Sequence, residues 1–154
     1  FGRLGVKNQA LMAAVAGTLA TRFAEQTQQG GQVASLQAQL ATFNAQNLAN
    51  FAWAFATLGI QSEPLMATLT ERVLEDGFVA TFNAQDVANV AWALGKLGVR
   101  DLRVLEALAD HALKADLLAS CKAQELGNIL WGYAKVGACH RPLMEAVAEE
   151  MLRG

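Results

Sequence analysis

Proline occurs only twice in the 154 residues, tyrosine once and cysteine twice. So few prolines leave long helices uninterrupted, because proline breaks helix interiors. Neither Cys121 nor Cys139 belongs to a C-x-x-C pair. Two such cysteines do not make a disulfide framework and read as free thiols of a reducing compartment. No apolar run approaches the ~20 residues of a membrane span. Charged residues amount to 17%, yet 53% of the chain is hydrophobic, which excludes intrinsic disorder. There is no Gly-rich phosphate loop, no G-x-S-x-G and no H-E-x-x-H. The only histidines, His111 and His140, lack partners at metal-ligand spacing. The expectation is therefore no enzyme, no cofactor, no metal, no small-molecule substrate and no membrane partner.

What is abundant is alanine and leucine, which together make up a third of the chain. Both favour helix, and the preferred strand residues are scarce. The expected class is all-α, in one domain that buries roughly 70% of its unfolded surface. The net charge of −2 at first argues against a polyanion partner.

Self-comparison shows a 39-residue internal repeat. Phe43, Phe82 and Cys121 align, as do Gln46, Gln85 and Gln124, then Asn50, Asn89 and Asn128, and finally Gly59, Gly98 and Gly137. All three tryptophans, Trp53, Trp92 and Trp131, share one repeat position. Residues 43–60 match 82–99 at 11 of 18 positions and 121–138 at 7 of 18. A unit this short cannot bury its apolar face alone, but stacked copies can. The pattern predicts an α-solenoid, a right-handed superhelix of tandem two-helix units. The units are 1–42 (partial, with an insertion at 13–42), 43–81, 82–120 and 121–154 (truncated). Both ends are expected to fall inside the lattice, as in a piece of a longer array.

Helix A of each unit is expected to run from about Asn44 to Leu58. Asn44 and Asn83 suit N-caps, with Asn47, Asp86 and Glu125 at the capping-box position three residues on. Gly59, Gly98 and Gly137 suit the left-handed residue that ends a helix. Helix B is expected to start at Asn8, Ser62 or Asp101, with Pro64 and Pro142 in the first turn.

On a helical wheel, Leu48, Phe51, Ala52, Phe55 and Leu58 form the apolar stripe of helix A, and Ala45, Ala49 and Ala56 a small-residue edge. The opposite face carries Gln46, Asn50 and Thr57, then Gln85, Asn89 and Lys96, then Gln124, Asn128 and Lys135. This column serves either as an amide ladder at the seams between units or as a surface offered to a ligand. The flanking tryptophans are either wedged between units or a stacking platform for bases. Asn47, Asp86 and Glu125 vary from unit to unit, as a base-reading position should, although capping explains them too. Arg3, Thr57, Lys96 and Lys135 align at the end of helix A, where cations meet either the helix dipole or phosphates.

The segment Phe43 to Gly59, with its near copy Phe82 to Gly98, resembles the signature of octotricopeptide repeat proteins. Gln, Leu-Ala-Asn, Trp-Ala and Leu-Gly occur together at fixed spacing. A proline expected before the Gln is replaced by Ala45, Ala84 and Ala123. The resemblance implies sequence-selective binding of single-stranded organellar RNA, in the chloroplast or mitochondrion. It also implies a role in RNA processing, stability or translation. On that reading Gln46, Asn47, Asn50, Gln85, Asp86, Asn89, Gln124, Glu125 and Asn128 face bases, while Arg3, Lys96 and Lys135 touch phosphates. The alternative is a protein-binding scaffold of the helical-repeat type.

The charge is segregated. The helix A segments carry 0, +1 and +2, and the helix B segments −3, −2 and −2. A polyanion is therefore allowed on the A face and disfavoured on the B face.

Overall fold

The computed structural model describes residues 38, 40–61, 63–114 and 116–154. Arg3, Asn8, Ser62 and the 13–37 part of the insertion lie outside the described residues. Among those described, every regular element is helical and there is no strand. Six α-helices follow in chain order: α1 (Ala45–Leu58), α2 (Glu63–Leu74), α3 (Ala84–Leu97), α4 (Leu102–Lys114), α5 (Ala123–Lys135) and α6 (Arg141–Arg153). Single 3₁₀ turns at Val79–Thr81 and Leu117–Ser120 lead into α3 and α5.

The local chemistry explains the boundaries. Asn47 N–H donates to Asn44 Oδ1 at 2.8 Å, and Asn47 Oδ1 accepts from Asn44 N–H at 3.3 Å. The same reciprocal pair, Asn83 with Asp86, opens α3. At α5 the cap residue is Lys122, which has no acceptor, so only the return bond from Lys122 N–H to Glu125 Oε2 survives, at 2.9 Å. Gly59, Gly98 and Gly137 follow the odd-numbered helices with φ of 68°, 69° and 68°. A side chain disfavours that left-handed conformation, so glycine lets the chain leave each helix the same way.

The odd-numbered helices lie side by side, with α3 packed extensively against both α1 and α5. The even-numbered helices touch one another in sequence, and α4 and α6 pack against α3 and α5. Leu48, Phe55, Leu94, Leu105, Leu108, Ile129, Tyr133 and Leu143 are fully buried within one continuous cluster. Each such side chain contributes on the order of 1.5–3 kcal/mol relative to exposure. Ala45, Ala49 and Ala56 are buried, as a small-residue packing edge requires. Leu58 is a correction to the expected apolar stripe, being 49% exposed where its counterpart Leu97 is 6% exposed. Leu97 belongs to the helix flanked on both sides. Its carbonyl also accepts from Gln61 Nε2 at 3.0 Å, which draws the end of α1 over it.

Candidate nucleic-acid interface

Four positions on each odd-numbered helix share one face. Gln46, Asn50, Trp53 and Thr57 stand at i, i+4, i+7 and i+11, which at 3.6 residues per turn is a single stripe along α1. Gln85, Asn89, Trp92 and Lys96 repeat the stripe on α3, and Gln124, Asn128, Trp131 and Lys135 on α5. Side-by-side packing of the helices turns three stripes into four rows crossing them. Gln46, Gln85 and Gln124 form an exposed row, and Asn50, Asn89 and Asn128 a half-buried one. The amide column is therefore not sealed into the seams.

The sequence set the tryptophans beside this face, but they are its middle row. Trp53 and Trp92 have ring centroids 6.3 Å apart and planes inclined by 32°; Trp92 and Trp131 are 6.1 Å apart and inclined by 29°. Trp53 and Trp92 are half-buried, and Trp131 is 39% exposed. The rings are thus wedged against one another between helices while keeping part of each surface bare. The wedge is therefore present, and it leaves part of each ring exposed.

Lys96 and Lys135 are exposed in the last turns of α3 and α5. Among the described residues neither has a carboxylate within ion-pair distance. The Lys135 ammonium lies 6.0 Å from the Trp131 ring centroid, at the outer reach of a cation–π contact. Thr57 fills the same position on α1, where its hydroxyl donates to the Trp53 carbonyl at 2.8 Å.

Asn47, Asp86 and Glu125 bond back to the N-terminal backbone of their own helices. Asp86 is only 5% exposed, and burial raises its pKa against the lowering effect of the Asn83 N–H. A polar cleft of about 520 Å³ opens between the N-terminal ends of α1 and α3, lined by Asn44, Gln46, Thr81, Asn83 and Asp86. Cys121 stands beside the Lys122 cap of α5. Burial pushes Cys121 up to about 11, with repulsion from Glu125 and Glu150 adding to it, so it stays protonated at neutral pH. His140 caps α6, its Nδ1 accepting from Leu143 N–H at 3.2 Å. No group of three metal-ligating side chains occurs among the described residues.

Two residues that position this face belong to no motif legible in the sequence. Arg72 of α2 reaches back to the α1 entrance, donating from Nε to Leu40 O at 3.2 Å and from Nη2 to Phe43 O at 3.0 Å. Its guanidinium stacks 3.8 Å from the Phe78 ring centroid and pairs with Glu75. His111, one repeat later on α4, holds Phe82 O at 2.8 Å. A carbonyl only accepts, so Nε2 carries the proton. The signal was present as a repeat spacing, hidden because the residue type changes from Arg to His and then to Glu150.

The sequence pattern of the RNA-editing substrate-binding complex 6 proteins (RESC6) matches residues 1–153. No curated protein matches the chain. The family match overturns the octotricopeptide assignment. That assignment covered about 43–154, most clearly at Phe43 to Gly59 and Phe82 to Gly98, and 1–12 in part, and had to set 13–42 aside, whereas the family match runs through 1–153. The shared spelling has a local cause, since caps, a left-handed exit glycine and small residues at helix contacts impose similar spacings on paired helices. The chloroplast expectation came with that assignment and falls with it. The chain belongs to the family of RNA-editing substrate-binding complex 6 proteins.

Proposed function

We propose that this chain is a stretch of right-handed α-solenoid, built of 39-residue two-helix units at 43–81, 82–120 and 121–154, whose odd-helix face binds single-stranded RNA. The observation that carries the reading is the grid of amides, tryptophans and cations on that face. Exposed glutamines and half-buried asparagines offer donors and acceptors to base edges. The unpaired Lys96 and Lys135 form one edge suited to phosphates. Gln46, Asn50, Gln85, Asn89, Gln124 and Asn128 are the base-facing set. Asn47, Asp86 and Glu125 act first as caps and reach RNA only at the cleft.

The role is in RNA editing, an RNA-processing step, as the family's description names it. That description also names a complex, so protein partners belong to the proposal. The acidic even-numbered helices, which repel a polyanion, are the side left to them. The site is organellar, with no catalysis and no cofactor.

Three units give few contacts, so binding by this chain is expected to be weak. The test is titration with single-stranded RNA across a salt series. Replacing Lys96 and Lys135 by Glu is expected to weaken binding and to flatten the salt slope by about two phosphate contacts. An unchanged affinity and slope refute the phosphate edge.

A further inference from the structure

We infer that the tryptophan row is a ladder for unstacked bases, and that its partly bare rings select flexible, weakly self-stacking RNA over base-stacked RNA or duplex. This rests on the RNA-binding reading above and goes further by naming which RNA the face takes.

Successive rungs are 6.3 and 6.1 Å apart. Bases in a stacked strand follow one another at about 3.4 Å. A strand that keeps its own stacking meets a rung only near every second base, and the neighbouring bases already cover that base's faces. A strand whose bases have separated can place one on each. Duplex RNA is excluded more strongly, because its bases are paired and its faces covered.

The rings can serve this purpose because they cover one another only in part. Centroids about 6 Å apart lie at the long end of the range for offset aromatic pairs. Overlap is partial, and 39% of Trp131 stays exposed. Rows on either side match the rest of a nucleotide. Asn50, Asn89 and Asn128 run along one flank, and Thr57, Lys96 and Lys135 along the other. No carboxylate stands in any of the three stripes. A base over a rung thus has an amide on one side and, at two rungs of three, a cation on the other. Neutral amides beside unpaired cations complement a polyanion with π-faces.

The three rungs are the only tryptophans in the chain, so intrinsic fluorescence reports this surface directly. The experiment titrates the 154-residue chain with oligouridylate, oligoadenylate, an RNA duplex and heparin. Binding is followed in parallel by electrophoretic mobility and by tryptophan emission. The expectation is binding with quenching for oligouridylate, weaker binding for self-stacked oligoadenylate and least for duplex. Heparin, which has charge but no bases, should bind without quenching. Trp131→Ala should weaken oligouridylate binding roughly tenfold. Trp131→Phe, which keeps a smaller ring and the packing, should lie between. RNA that binds while the emission stays fixed and Trp131→Ala is neutral overturns the ladder and leaves RNA binding standing. Equal binding of oligouridylate and duplex overturns the selectivity. Absence of RNA binding overturns the underlying reading as well, and an emission change caused only by a protein partner assigns the row to protein docking.

Discussion

The two contacts that α3 makes within the odd-numbered row are built differently. Against α5, a Cβ on Gly95 would meet Gly132 Cα at 2.7 Å, and a Cβ on Gly132 would meet the Ala91 carbonyl oxygen at 2.2 Å. No real Cβ approaches backbone that closely. Against α1 the corresponding positions are Ala56 and Ala93, both buried and both accommodated. One seam is glycine-tight and the other has room for a methyl. Nevertheless the tryptophan spacing changes only from 6.3 to 6.1 Å across them. The exposed face is thus held nearly constant while the packing behind it varies, so the outer geometry does not require one particular seam.

Exchanging residues between the two seams separates their energetics. Gly132→Ala forces backbone apart at 2.2 Å and is expected to cost at least the ~1–3 kcal/mol typical of overpacking, despite the better helix propensity of alanine. Ala93→Gly at the looser seam should cost less, about 1.5–2 kcal/mol, from propensity and one lost methyl. Urea unfolding of both variants checks the ranking, and equal costs would mean that the seams are energetically alike.

The second comparison is between the two clamps. Arg72 makes charged bonds to two carbonyls and stacks on Phe78, so Arg72→Leu is expected to cost about 2–3 kcal/mol. His111 makes a single bond to Phe82 O, and His111→Phe should cost about 1 kcal/mol. Hydrogen exchange at the entrances of α1 and α3 localises each loss.

The smallest effect concerns the caps. Asn47 and Asp86 make the same reciprocal bonds, but only Asp86 buries a carboxyl. Its folded pKa is raised by burial, so the fold holds the proton more tightly than the unfolded chain. Stability from this group is therefore full below the ordinary carboxylate value and declines as pH rises through the window up to the raised value. Asp86→Asn keeps the cap and removes the decline. The variant should equal the parent at low pH and exceed it slightly at neutral pH. Urea midpoints from acid to neutral pH test this, and a deficit at neutral pH would show that the ionised carboxylate is the better cap.

The legible and illegible parts of the molecule divide by range. The caps at Asn44 and Asn83, the exits at Gly59 and Gly98, and the bounds of α1 and α3 were readable because each depends on residues within a turn. The candidate face was half readable. Periodicity put Gln46 and Asn50 opposite Leu48 and Phe55, but the place of Trp53 depended on a ring in the next unit. Arg72 and His111 were missed because their partners are backbone carbonyls, which leave no mark in side-chain spelling.

The all-helical class, the 39-residue periodicity, the capping chemistry and the charge contrast between odd- and even-numbered helices were legible in the residues alone. These follow from composition, spacing and local hydrogen bonding. Only the tertiary structure decided that the tryptophans stack on one another yet remain partly exposed, that Leu58 is open while Leu97 is covered, and that one seam admits no side chain. Those outcomes depend on how closely neighbouring helices approach. That distance is fixed by whole-helix packing, in which the removal of a single Cβ at Gly132 lets two backbones touch.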